Sequence, residues 1–136
     1  MADGKKRHRV LIVEDEDNIA LALDYVLTRE GYQHDRIANG AEALPMIRDT
    51  SPDLVLLDVM LPEVSGYEIC QNVRMDPKLK DVKILMMTAR GSAMERRKGL
   101  ALGADGFIAK PFELKELRDE VRKLLEPDGE GAGGDA

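Results

Sequence analysis

Residues 53–66 read DLVLLDVMLPEVSG, and this segment decides the fold. The apolar run Leu54–Leu57 is too short for a helix and shows no polar alternation, so it predicts a strand buried on both faces. Asp58 follows the run directly, and Pro62 and Gly66 indicate a loop that leads into a helix. The segment therefore predicts a buried strand, an acidic residue at its end, a loop and a helix, in this order.

The same succession recurs on both sides of this segment. A stretch with helical spacing of apolar residues follows each of the other predicted strands, which are Arg9–Val13, His34–Ala38, Ile84–Met87 and Phe107–Ala109. Repeated strand–helix units with apolar strands imply a parallel sheet covered on both faces, and right-handed crossovers then give a doubly wound α/β fold. We take the flavodoxin-like strand order 2-1-3-4-5 for this five-stranded sheet.

Several residues mark the starts and breaks of the predicted helices. The candidate N-terminal caps are Asp17, Asn39 with Glu42, and Ser92 with Glu95. Pro45 removes a backbone donor and clashes with the preceding turn, so it predicts a kinked or short second helix.

Length and composition divide the chain into one domain and two terminal segments. The 136 residues suit a single domain, and 43% hydrophobic with 34% charged residues is an ordinary globular balance. Residues 1–8 predict a basic leader, residues 9–126 hold the strand–helix units, and residues 127–136 predict a Gly-rich, acidic, disordered tail or linker. The chain is thus either a complete single-domain protein or one domain of a longer one.

Charge and cysteine content argue against several classes of site. With 20 basic and 26 acidic residues the net charge is −6, which disfavours direct nucleic-acid binding by this chain. The single cysteine, Cys70, excludes an internal disulfide and a cysteine-based zinc site, and it favours a reducing, cytoplasmic setting. No apolar run approaches the ~20 residues of a membrane span, and Val10–Val13 is too short for the apolar core of a signal peptide.

Polar residues follow or end the strands predicted first, third, fourth and fifth. These residues are Glu14 and Asp15, then Asp58, Thr88 and Lys110. Because the carboxyl ends of parallel strands share one edge, their side chains are expected to converge at one site. Carboxylate oxygens suit Mg²⁺, which relieves their mutual repulsion, and an Asp carboxylate can act as a nucleophile and form an aspartyl-phosphate. Asp58 stands alone at a central strand end, within reach of Thr88 and Lys110, and is the best candidate nucleophile.

Four segments carry a resemblance to a known family. They are VLIVEDE at 10–16, DLVLLDVMLPEVSG at 53–66, ILMMTA at 84–89 and GADGFIAKPF at 103–112. In order and spacing they resemble the receiver domain of two-component response regulators, in particular the single-domain chemotaxis regulators. The resemblance covers residues 9–125, and the set of segments is far more specific than any one of them.

The resemblance implies an acceptor residue and a metal site. Asp58 would accept a phosphoryl group from the phosphohistidine of a sensor histidine kinase or from a phosphotransfer protein. Asp15, Asp58 and the Met60 carbonyl would bind Mg²⁺, and Glu14 would support the ion. Such a chain is primarily a signalling switch, which catalyses its own phosphorylation and dephosphorylation.

The resemblance also implies a conformational switch. Thr88 and Lys110 would engage the phosphoryl oxygens after transfer, and Phe107 would turn inward as Thr88 moves. The alternative for Phe107 is an ordinary core residue, and it stands where Tyr is frequent in the family, so no hydroxyl can lock the rotated ring. The output surface for an unknown downstream protein would be the fourth helix, last strand and last helix, through which some receivers form homodimers. The bond between Lys110 and Pro111 matches one that is commonly cis in the family.

Two other functions are compatible with this fold class. An aspartyl-nucleophile phosphatase of the haloacid dehalogenase type would carry a general acid two residues after Asp58, where this chain has Met60. A flavin or nucleotide carrier would need a Gly- or Ser/Thr-rich phosphate loop after the first strand, where residues 14–17 are all acidic. Within the favoured function, the chain is either a complete regulator or the receiver of a longer multidomain regulator.

Overall fold

A computed structural model describes residues 8–89 and 91–126 of the chain. The five parallel strands of the sheet are arranged β2-β1-β3-β4-β5, which confirms the predicted doubly wound, flavodoxin-like order. In chain order the elements are β1 Arg9–Val13, α1 Asp17–Glu30, β2 Gln33–Ile37, α2 Ala43–Thr50, β3 Leu54–Asp58, α3 Gly66–Met75, β4 Lys83–Thr88, α4 Ala93–Ala101, β5 Gly106–Ala109 and α5 Leu114–Leu125. Short 3₁₀ turns at Gly40–Glu42 and Pro77–Leu79 precede α2 and β4.

The register of the strands brings their carboxyl ends to one edge of the sheet. β1 pairs in parallel with β2 on one side and with β3 on the other. Asp58, the last residue of β3, lies opposite Met87 of β4, and Thr88, the last residue of β4, lies opposite Ala109 of β5. The residues that end these strands or follow them therefore lie along the same edge, as the parallel arrangement requires.

Two apolar layers cover the sheet, because successive residues of a strand point to opposite faces. Val55 and Met86 belong to the layer that the strands share with α2 and α3. Leu54 and Leu85 belong to the layer that they share with α1 and α5. These strands are buried on both faces, which explains why their sequences show no polar alternation.

Two helix starts differ from the predicted caps. α1 begins at Asp17 itself with Glu16 at the cap position, and the Asp17 carboxylate forms an ion pair of 2.9 Å with Arg36 of β2. The Asn39 side chain accepts a hydrogen bond of 2.6 Å from the Ala41 amide, and it caps the 3₁₀ turn instead of α2. The cap predictions for Asp17 and Asn39 are therefore wrong. The Asp17 side chain pairs with Arg36 of β2, and the Asn39 side chain caps the 3₁₀ turn that precedes α2.

The remaining predictions about helix ends are confirmed in part. Pro45 is the third residue of α2, where a backbone N–H would have no partner within the helix, so the proline breaks no helical hydrogen bond. α2 has eight residues and is short, as predicted. Ser92 caps α4, because its hydroxyl accepts a hydrogen bond of 3.2 Å from the Glu95 amide. The Glu95 carboxylate does not return to close a capping box, and instead it accepts from the hydroxyl of Tyr67 on α3.

Of the predicted basic leader at residues 1–8, the structure describes only His8, and it describes none of the predicted tail at residues 127–136. The carbonyl of His8 accepts a hydrogen bond of 3.0 Å from the Gln33 amide, and its ring packs edge-on against Tyr32 with 5.7 Å between centroids. Residues 1–7 of the predicted leader and 127–136 of the predicted tail lie outside the described residues. None of the helices within 8–89 and 91–126 has the length and hydropathy to cross a bilayer.

Candidate functional site

Four of the five residues predicted to converge, Glu14, Asp15, Asp58 and Lys110, meet at the carboxyl edge of the sheet, and Thr88 ends β4 at the same edge. The carboxylates of Glu14, Asp15 and Asp58 each offer an oxygen, and these oxygens lie within 4.8 Å of one another. The Lys110 ammonium enters the same cluster from the end of β5, with Nζ 2.8 Å from Glu14 Oε1 and 3.4 Å from Asp58 Oδ1. Side chains from the ends of β1, β3 and β5, which are far apart in sequence, thus form one ionic cluster.

The members of the cluster differ sharply in exposure. Glu14 is 0% exposed and Asp58 is 2% exposed, and the Lys110 side chain is 11% exposed. Asp15 is exposed. Asp15 therefore lies on the solvent side of the cluster, whereas Glu14, Asp58 and Lys110 lie on its buried side.

Burial and the Lys110 ammonium shift the pKa values of the carboxylates in the cluster. Burial raises the pKa of Glu14 and of Asp58, and the nearby Lys110 ammonium opposes both shifts. Burial lowers the pKa of Lys110, but its hydrogen bond to Glu14 and the charges of Glu14 and Asp58 outweigh that effect, so the pKa rises. Lys110 thus remains a cation, and a single ammonium faces several carboxylates, which leaves the cluster with an excess of negative charge.

The oxygen donors of the cluster pass a simple chemical test for a hard cation. Carboxylate oxygens from three residues, with no sulfur or imidazole among them, are the donors that Mg²⁺ prefers. A divalent cation would also relieve the repulsion between buried Asp58 and Glu14, which one ammonium only partly offsets. Glu14, Asp15 and Asp58 therefore suit Mg²⁺ in both ligand type and charge.

The backbone after β3 holds Asp58 in place. The Met60 amide donates to Asp58 Oδ1 at 3.1 Å, and the Gly66 amide donates to the Val59 carbonyl at 3.0 Å. A Cβ at Gly66 would lie 2.4 Å from the Asp58 carbonyl oxygen, so only glycine allows α3 to start this close to the end of β3. Met60 is 54% exposed at the mouth of the site.

Thr88 and Phe107, the two residues predicted to act as a switch, lie on the neighbouring strands β4 and β5. Thr88 is 1% exposed, and its carbonyl accepts a hydrogen bond of 2.8 Å from the Lys110 amide. Phe107 is 4% exposed and packs in the layer with Met86. A Cβ at Gly99 of α4 would lie 3.3 Å from the Phe107 ring, so α4 and the ring are in close contact. The bond between Lys110 and Pro111 is cis, as expected.

Two contributors to the site were not identified from the sequence. Glu16 donates its amide to Glu14 Oε2 at 3.0 Å, and its carboxylate lies 3.8 Å from Lys110 Nζ. The close approach of Gly66 to Asp58 was likewise missed, since the sequence marked Gly66 only as the end of a loop. The acidic run at residues 14–17 was the available signal for Glu16, but its spacing alone does not separate a cluster member from a solvated loop residue.

Comparisons with known proteins agree with this geometry. Residues 10–122 match the family described as the response regulator receiver domain. The phosphate regulon transcriptional regulatory protein PhoB of Rhizobium meliloti is 43% identical over 117 residues, which cover 86% of this chain and 52% of PhoB. The chain spans about half the length of the curated relatives it matches.

Solved structures show the same similarity. The chemotaxis response regulator CheY4 of Vibrio cholerae has a TM-score of 0.83 at 32% identity, over 88% of this chain and 100% of CheY4. The receiver domain of the sensor histidine kinase PA1611 from Pseudomonas aeruginosa PAO1, with a magnesium ion coordinated in its active site cleft, has a TM-score of 0.80 at 26% identity, over 88% and 98% of the two chains. With the family match over residues 10–122, the chain belongs to the receiver domains of two-component response regulators.

Proposed function

We propose that this receiver is a phosphorylation-controlled switch and that Asp58 is its phosphoryl acceptor. The observation that carries the proposal is the ionic cluster at the carboxyl edge, where the nearly buried Asp58 carboxylate lies 3.4 Å from the Lys110 ammonium. A sensor histidine kinase, or a phosphotransfer protein, would supply the phosphoryl group from a phosphohistidine. Receiver domains as a family interact with such donors, and the identity of the donor for this chain is part of the proposal.

The transfer itself is a nucleophilic displacement at phosphorus. An Asp58 carboxylate oxygen forms a bond to phosphorus while the phosphorus–nitrogen bond of the donor histidine breaks, and the electron pair returns to the ring nitrogen. Before transfer the Lys110 ammonium opposes the rise that burial causes in the pKa of Asp58, and after transfer it would pair with a phosphoryl oxygen. The same residues would later admit a water molecule for hydrolysis, so the chain turns over only its own phosphate.

Magnesium is the cofactor that fits this scheme. Receiver domains bind Mg²⁺ at an acidic pocket, and this chain has an acidic cluster at the corresponding edge. We assign the ion to Asp15, Asp58 and the Met60 carbonyl, with Glu14 in support. When bound, the ion supplies positive charge that offsets the carboxylates and the incoming phosphoryl oxygens. This role is consistent with the exposure of Asp15, which leaves the approach to Asp58 open.

The signal would leave the site through Thr88 and Phe107. Thr88 would move toward the phosphoryl oxygens, and the ring of Phe107 would follow on the neighbouring strand. Phe107 contacts α4, and Thr88 precedes the α4 cap Ser92 by four residues, so the surface formed by α4, β5 and α5 would change shape and bind a downstream protein or a second copy of the chain. Direct contact with nucleic acid or membrane forms no part of this function.

The setting of the domain is a further part of the proposal. The curated relatives are about twice as long as the match, which supports a receiver of a longer regulator, and a complete single-domain regulator is the alternative. Cys70 is a free, buried thiol, which suits a reducing cytoplasm. We therefore expect a cytoplasmic protein whose output depends on the partner bound at the α4, β5 and α5 surface.

Phosphorylation in vitro tests the proposal. The chain is incubated with Mg²⁺ and phosphoramidate and followed by intact-protein mass spectrometry, with Asp58→Asn as the variant and Asp53→Asn, whose carboxylate binds the Arg9 amide, as the control. We expect the mass of one phosphoryl group on the wild type and on Asp53→Asn, and none on Asp58→Asn. An unmodified wild type would contradict the proposal, and steady turnover of p-nitrophenyl phosphate would favour a phosphatase instead.

A further inference from the structure

Tyr67 connects the segment after the acceptor strand to α4. It is the second residue of α3, and its hydroxyl donates a hydrogen bond to the Glu95 carboxylate in the first turn of α4. The Lys98 ammonium, also on α4, lies over the Tyr67 ring at 4.4 Å from its centroid. One aromatic side chain therefore makes both a hydrogen bond and a cation–π contact with the same short helix.

The α3 end of this connection is fixed relative to Asp58. Ser65 caps α3 and accepts a hydrogen bond of 3.0 Å from the Tyr67 amide. Gly66, between these two residues, donates its amide to the Val59 carbonyl at 3.0 Å and has no room for a Cβ against Asp58. Tyr67 thus directly follows a residue whose backbone is hydrogen-bonded to Val59 and packed against Asp58.

The α4 end has few other attachments. Within α4, every residue of which the structure describes, only Gly99 is buried. Arg96 Nη1 donates to the Phe107 carbonyl at 3.5 Å, which is at the long limit for a hydrogen bond. Since α4 buries little apolar surface, its polar contacts with Tyr67 stand beside the packing of Gly99 on Phe107 as the contacts that position it.

We propose that Tyr67 is a positioning residue that clamps α4 to the acceptor segment in the unmodified protein, and that this clamp opposes the switch. The inference rests on the proposed function of Asp58. Ser92, the cap of α4, follows Thr88 by four residues, so movement of Thr88 pulls on the start of α4 and strains the contact between Tyr67 and Glu95. A contact that is made only in the resting arrangement stabilises that arrangement, and by linkage it disfavours phosphorylation.

The protonation of Tyr67 agrees with this role. Burial and the hydrogen bond to Glu95 raise the pKa of Tyr67 to about 12, so its hydroxyl stays a donor at any physiological pH. The clamp is therefore released by motion of α4 and not by titration of the tyrosine.

Removal of the hydroxyl tests the clamp. Tyr67→Phe keeps the ring and deletes the hydrogen bond, Glu95→Ala deletes the acceptor, and the double variant tests whether the two act together. Tyr25→Phe is the matched control, since Tyr25 lies on α1 and is also covered by a cation, Arg29, at 5.7 Å. Two measurements are made on each protein: amide hydrogen exchange of residues 93–101 before phosphorylation, and the rate of phosphorylation by phosphoramidate with Mg²⁺.

We expect Tyr67→Phe to speed both exchange in α4 and phosphorylation by about threefold or more, the size of one net hydrogen bond. Glu95→Ala should do the same, the double variant should add little to either, and Tyr25→Phe should match the wild type. Unchanged exchange in α4 of Tyr67→Phe would overturn the clamp. Faster exchange with an unchanged or slower phosphorylation rate would overturn its link to the switch. If the wild type itself takes no phosphoryl group, the proposed function fails, whereas the exchange data still decide on the clamp.

Discussion

Helices α4 and α5 flank the same strand, β5, but are held by different forces. α5 buries Leu117, Val121 and Leu125 against the sheet, while α4 buries only Gly99. On α5 the apolar residues recur on one side, whereas the side chains of α4 are mostly charged or exposed. α5 is therefore fixed by the hydrophobic effect, and α4 depends on a few polar contacts that are easier to exchange.

The position of each helix fits this difference. α4 starts five residues after Thr88, the last residue of β4, and α5 packs on α1 through a bidentate contact between Arg122 and Glu30 at 2.6 and 3.0 Å. In the proposed switch α4 responds to the charge on Asp58, and a large apolar interface would oppose that response. The loosely held helix thus lies where the proposed signal arises, and the firmly held helix serves as its frame.

The largest expected loss of stability comes from truncating a buried apolar side chain of α5. Leu117→Ala removes a fully buried side chain and should lower the free energy of unfolding by about 2–4 kcal/mol. Leu100→Ala on α4 removes a side chain that is 41% exposed and should cost below about 1 kcal/mol. Urea unfolding of both variants checks the contrast, and equal losses would show that α4 is anchored by burial after all.

Gly99→Ala should shift the contact between α4 and Phe107 while changing the free energy of unfolding only slightly. Alanine favours the helix by up to about 1 kcal/mol over glycine. The new Cβ would lie 2.8 Å from Met86 Sδ and 3.3 Å from the Phe107 ring, so these flexible side chains must give way. We expect a stability change within about 1 kcal/mol, together with clear NMR shifts of the Phe107 ring. A loss of several kcal/mol would mean that α4 cannot adjust its position.

The polar contact of α5 with α1 should matter little beside its apolar anchor. Arg122 is 48% exposed at the side chain, so Arg122→Ala should cost about 0.5–1 kcal/mol, less in high salt. Lys123→Ala, which removes an exposed pair with Glu120, serves as the control with no measurable cost expected. Unfolding at low and high salt measures both, and a loss that matches Leu117→Ala would reverse the assignment of forces.

The smallest expected effect is a pH dependence of the stability, which arises from His34 on β2. His34 Nδ1 lies 3.1 Å from the Tyr32 carbonyl and Nε2 lies 2.5 Å from Asp24, so both ring nitrogens face acceptors. Burial lowers the pKa of His34, but the hydrogen bonds to Asp24 and Tyr32 outweigh it, and the pKa is raised above 6.5. The charged ring thus stabilises the fold fully below pH 6.5, and this contribution is lost as the pH rises through the folded-state pKa.

His34→Gln should therefore cost up to about 0.5 kcal/mol at pH 6 and almost nothing at pH 9. The wild type and variant are compared by urea unfolding across this range, with Gln33→Ala as a control on the same strand. A cost that grows with pH would show that the neutral ring is the stabilising form.

The sequence was sufficient for the fold and for four members of the ionic cluster, Glu14, Asp15, Asp58 and Lys110, but not for Glu16. In an α/β chain, apolar runs such as Leu54–Leu57 indicate strands buried in a parallel sheet. The parallel order then brings Asp58, Thr88 and Lys110 to one edge of the sheet. These predictions succeeded because they depend on topology, which the repeated strand–helix pattern determines.

Contacts between elements were not predictable in the same way. Glu95 fits a capping box in the sequence, yet its carboxylate binds Tyr67, 28 residues away. Asp17 likewise fits a cap, but it pairs with Arg36. A polar side chain at a helix start has local and distant partners of similar energy, and only the packed fold decides between them. The contact between Tyr67 and Glu95 is for this reason visible in the structure and not in the sequence.

Hydrogen exchange of α4 and α5 with and without a phosphoryl mimic is the most direct test of the account. The wild type and Asp58→Asn are each measured with Mg²⁺ and beryllofluoride. We expect the mimic to change exchange in residues 93–101 of the wild type by about threefold or more, leave residues 114–125 nearly unchanged, and have no effect on Asp58→Asn. Equal changes in both helices, or a change in α4 that persists in Asp58→Asn, would contradict the claim that charge at Asp58 is read out through a loosely held α4.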